Sequence, residues 1–74
     1  MNYSVALFHT VSSALRAEKV LLGAQIPVKL IPTPRQLSSD CGVALRFETA
    51  RRGEIETHLN HARMDLEGIY DLTT

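Results

Sequence analysis

The chain is short of most residues that advertise a function. It has one cysteine, Cys41, in 74 residues, no tryptophan, two tyrosines and two phenylalanines. A lone cysteine excludes an internal disulfide and a dithiol redox centre, and no Cys/His spacing matches a structural zinc site. The aromatics are too few for the stacking platforms that hold single-stranded nucleic acid. Charge of one sign is missing as well: eight basic side chains balance eight acidic ones. A nucleic-acid binder needs a positive field to displace counterions from phosphate, so that partner class is disfavoured. No apolar run reaches the ~20 residues that span a bilayer. The opening Met1-Asn2-Tyr3-Ser4 has neither the basic start nor the apolar stretch of a secretory signal. A free thiol suits a reducing compartment, so the expectation is a cytoplasmic protein with no membrane partner.

What is present fits one domain over residues 1–74. A chain this short removes only ~60% of its unfolded surface from water, which makes self-association an expected source of added stability. Tyr3 to His9 carries apolar residues on both parities and reads as a strand buried on both faces. Thr10 can cap a helix running to about Leu22, with Gly23 supplying a left-handed stop and Pro27 forbidding continuation. Val28 to Pro32 is a short strand whose prolines suit an edge. Thr33 to Asp40 is a polar loop. Val43 to Glu48 alternates cleanly, with Val43, Leu45 and Phe47 inward. Ile55, His58, Leu59 and Ala62 repeat at helical spacing and mark a second helix from about Ala50 to Arg63. Leu66 to Leu72 is a fourth strand.

With right-handed crossovers, this order predicts an α+β, ferredoxin-like βαββαβ fold: a four-stranded antiparallel sheet in the order 4-1-3-2, with both helices on one face. The uncovered face is expected to hold Ala6, Phe8, Ile31, Ala44 and Ile69 inside a charged rim of Lys29, Arg46, Glu48, Glu67 and Asp71. An apolar centre with such a rim is the pattern of a homo-oligomer contact.

The same topology brings the start of the third strand to the end of the first. Cys41 is therefore expected near His9 and the N-terminus of the first helix, on the parity of Val43, Leu45 and Phe47. Positive charge from a helix end, an imidazolium and Arg35 would lower the pKa of a thiol there. A cysteine on the core parity of a strand is more often inert packing. Against inert packing stand its neighbours Ser38, Ser39, Asp40 and Gly42, all small or polar. The two serines also have an ordinary turn reading.

Ile31-Pro32-Thr33-Pro34-Arg35 followed by Ser38-Ser39-Asp40-Cys41-Gly42 resembles the signature loop of the selenium/sulfur carrier protein-like family. The run Ala14-Leu15-Arg16-Ala17-Glu18-Lys19 and the ending Gly68-Ile69-Tyr70 fit the same pattern, so the resemblance covers nearly the whole chain. It implies a Cys41 that holds sulfur or selenium as a persulfide or selenosulfide, framed by Arg35, Ser38, Ser39 and Gly42. The implied partners are a donor enzyme and an acceptor protein, and the protein would be a relay more than a turnover enzyme, with no cofactor. The residues alone leave two other readings open: a small ligand-binding or regulatory module, and an oligomeric scaffold with a structural Cys41.

Glu18 falls within the apolar stripe of the first helix and is expected either to pair with Arg46 or Arg35, the favoured reading, or to reach outward by its stem. His58 and His61 lack a third convergent ligand, so no metal site is expected. Arg51 and Arg52 open the second helix, where cations oppose the dipole.

Overall fold

The computed structural model describes residues 2–37, 42–64 and 66–72. Its elements are β1 (Tyr3–Phe8), α1 (Val11–Gly23), β2 (Lys29–Pro32), β3 (Val43–Glu48), α2 (Arg52–His61) and β4 (Leu66–Leu72), with a 3-10 turn at Thr49–Arg51 leading into α2. The strands form one antiparallel sheet in the order β2-β3-β1-β4. This is the predicted α+β arrangement with the predicted strand order. No helix among the described residues is long and apolar enough to cross a membrane.

Both helices pack on one face. Ala14, Ala17 and Leu21 of α1 and Ile55 and Leu59 of α2 close over Ala6, Phe8, Leu45 and Phe47. The inward positions of β3 are thus as its alternation predicts, but the facing of β1 is the reverse of the expectation. Register decides it: Ala6 pairs with Leu45 and Leu7 with Ala44, and directly opposed residues project to the same side. Ala6 and Phe8 therefore join the helix-covered core, and Ile69, opposite Ala6, packs against it too. The second face is built on Val5, Leu7 and Ala44, with Ile31, Leu37 and Leu72 packed around them. Its centre is already withdrawn from solvent within one chain, since Val5 and Ala44 are 0% exposed and Leu7 1%. The apolar surface left for association is smaller than the sequence suggests. On the same face the Tyr70 ring lies over Gly68, where an added Cβ would meet it at 3.0 Å.

Two local expectations are corrected. Gly23 is the last residue of α1 and no glycine among the described residues has a positive φ; the left-handed residue is Gln25, at φ 63°. The Gln25 N–H donates to the Leu22 carbonyl and the Ile26 N–H to that of Leu21, closing the helix end. Ile26 is then buried in the core, so a tertiary contact imposes the reversal on a residue that does not favour it. The second correction concerns Glu18. It is half-buried and takes part in no ion pair among the described residues, and Arg46 lies instead over the Tyr3 ring, 4.6 Å from its centroid. The helix-opening arginines find acids within α2: Arg52 Nε is 2.9 Å from Glu56 and Arg51 3.5 Å from Glu54.

One buried hydroxyl ties three elements together. Ser4, 0% exposed, donates to Asp71 Oδ1 of β4 at 2.8 Å, and its Oγ also lies 2.8 Å from Thr49 Oγ1 at the start of the 3-10 turn. Arg52 stands 3.8 Å from the same Asp71 oxygen. A serine inside an apolar strand is tolerable here because its hydroxyl is fully partnered.

Candidate functional site

The connection from β2 to β3 joins two neighbouring strands of the sheet directly, and its base is closed by backbone pairing. Pro32 pairs with Val43, and beyond this pair the Thr33 N–H donates to the Gly42 carbonyl at 3.1 Å. The first half of the loop folds locally: Pro34 presets a turn, and the Leu37 N–H donates back to the Pro34 carbonyl at 3.0 Å. Leu37 then anchors on the second sheet face beside Ile31. Arg35, in the middle of this turn, is exposed. Ser38, Ser39 and Cys41 lie outside the described residues.

Gly42, the covalent neighbour of Cys41, is exposed and has open space where a side chain would begin. Its φ is not positive, so the backbone does not demand glycine. The space is what a glycine leaves there, and it keeps that side of the strand approachable.

The register brings this loop base to the expected end of the sheet. Leu7 pairs with Ala44, so the chain entering β3 through Gly42 runs beside the end of β1, where His9 and the start of α1 follow. His9 is exposed, and its Nδ1 is 3.7 Å from Glu67 Oε2. Glu67 reaches it because β4 bulges: the pairing shifts between Leu7 with Gly68 and Phe8 with Leu66, leaving Glu67 as the extra residue.

Thr10 caps α1. It sits at φ −137°, ψ 156°, and its Oγ1 accepts from the Ser13 N–H at 3.1 Å. The first turn contains no acidic residue, so the positive end of the helix is not neutralised from within. Replacing Thr10 with alanine should cost about 1 kcal/mol of stability, measured by urea denaturation. An unchanged midpoint would remove the cap from this account.

The structure thus brings together Gly42, His9 and the N-terminus of α1 at one end of the sheet, while Arg35 stands out on the loop. His58 is half-buried and His61 exposed on α2, and among the described residues no three potential ligands converge for a metal ion.

Comparison with known protein families gives a match over nearly the whole chain. The family model described as putative Se/S carrier protein-like aligns with residues 2–71. No curated protein and no solved structure matches. Since the matched span takes in all of the strands and helices but the last residue of β4, together with the β2–β3 loop, the chain belongs to the putative Se/S carrier protein-like family.

Proposed function

We infer that this protein carries sulfur or selenium on Cys41, accepting the atom from a donor enzyme and handing it to an acceptor protein. The family match over residues 2–71 is the observation that carries this reading. The thiolate of Cys41 attacks the outer sulfur of a persulfide on the donor. A new sulfur–sulfur bond forms at Cys41 as the donor's own breaks, and the donor cysteine leaves as a thiolate. Delivery repeats the exchange: an acceptor thiolate takes the outer atom and Cys41 departs as thiolate. No oxidant is consumed, because the carried sulfur stays at the same oxidation level throughout. A selenium atom would follow the same course.

Several features support the role. With one cysteine in the chain, no internal thiol can discharge the persulfide. Gly42 gives a partner room to approach. Arg35 and the α1 terminus would supply positive potential to a thiolate at Cys41, His9 would border it, and Ser38 and Ser39 would offer hydroxyls to an anionic persulfide. Such a protein is a relay consumed and regenerated by its partners, not a turnover enzyme.

The test is the rate of Cys41 alkylation across pH in the folded protein, with intact-mass detection of an added chalcogen. A carrier thiol should titrate clearly below the ~8.5 of a free cysteine and react rapidly. A thiol that reacts only after unfolding would assign Cys41 to packing and reject the carrier reading.

A further inference from the structure

At the other end of β3, roughly 13 Å from Gly42 at ~3.3 Å per strand residue, the sheet holds a charge arrangement that the carrier reading does not use. Lys29 of β2 and Arg46 of β3 are direct cross-strand partners. Directly opposed like charges destabilise a strand pair. Neither forms an ion pair among the described residues, and the Arg46 guanidinium lies over the Tyr3 ring. Glu48, two residues along the same face of β3, likewise forms no ion pair among the described residues, although it is the nearest acid in the strand. All of them border one open cleft of about 190 Å³, whose other walls include Pro27 and Val28.

We propose that this cleft binds a free α-amino acid as its zwitterion. Arg46, oriented by Tyr3, and Lys29 take the carboxylate. Glu48 takes the ammonium, and the side chain lies against Pro27 and Val28. The chemistry follows from the charges present. A planar guanidinium with a neighbouring ammonium matches a carboxylate. A simple anion would leave Glu48 unpaired and repelled, and a simple amine would meet two cations. An α-amino acid carries both charges a short distance apart, which answers both sides of the cleft at once. The site does not involve Cys41, so its failure and the failure of the carrier reading are separate results.

The experiment is an amide NMR titration of the full chain with L-leucine, run beside 4-methylpentanoate, which lacks the amine, and 3-methylbutylamine, which lacks the carboxylate. Saturable shifts around Tyr3, Lys29, Arg46 and Glu48 are expected with L-leucine. Each analogue should bind about tenfold more weakly or worse, the loss of one charge-assisted contact at ~1.4 kcal/mol per decade. Lys29→Gln, on the exposed edge strand, and Arg46→Gln should each weaken L-leucine by a similar factor, whereas Arg16→Gln on α1 should not. The proposal is overturned by an absence of saturable shifts, by equal binding of 4-methylpentanoate, or by binding that survives both cleft variants.

Discussion

Phe8→Ala is expected to remove about 3–5 kcal/mol of folding stability, the cost of deleting a fully buried aromatic ring and leaving a cavity. Phe8 is 0% exposed, among the largest side chains of the helix-covered core, and packs where both helices meet the sheet. A 74-residue chain at ~0.05–0.15 kcal/mol per residue has only roughly 4–11 kcal/mol in total, so the variant should be largely unfolded or close to it. Leu22→Ala is the matched control: an aliphatic side chain on α1 that is 51% exposed, with an expected loss within about 0.5 kcal/mol. Urea denaturation of the two variants checks the burial of Phe8. Equal losses would mean that Phe8 is not part of the packed core.

The second large effect is chemical. Cys41→Ser should abolish all loading from a persulfide donor such as glutathione persulfide, read by intact mass, because no other residue in the chain can hold sulfane sulfur. A serine hydroxyl is not ionised near neutral pH and does not accept sulfur by thiol exchange. The melting temperature should stay where it is. The two readouts separate the rival roles: a packed Cys41 predicts a variant destabilised by about 1–3 kcal/mol through a buried, unpartnered hydroxyl. Loading that persists in the variant would end the carrier reading.

How far the sequence alone reaches depends on how one-sided each segment is. β3 and α1 were legible because one face of each is buried and the other is not, so periodicity names the face. β1 is central and apolar on both sides: Val5 and Leu7 look as suited to the core as Ala6 and Phe8. Only its pairing with β3 distinguishes them, and register is a property of two segments. The helix stop failed for a related reason, since Gly23 is the better local candidate and the burial of Ile26 moves the reversal to Gln25. Ser4 was passed over, although a hydroxyl amid Tyr3, Val5, Ala6 and Leu7 is itself a sign of a buried partner. At the candidate site, topology correctly joined the start of β3 to the end of β1, whereas Tyr3, Lys29 and Arg46 come together only through diagonal and cross-strand neighbours that no local pattern contains.

The β1–β4 ladder has a consequence for how the molecule is made. Tyr3 pairs with Leu72 and Phe8 with Leu66, so the two strands furthest apart in sequence are neighbours in space. Contacts of such long range slow folding, because the whole intervening chain must be ordered before they form. On a ribosome β4 is the last strand to emerge, and until then β1 is an edge strand with its hydrogen-bonding groups open. Until β4 emerges, the nascent chain therefore presents its most apolar strand exposed along one side, where another chain could pair with it.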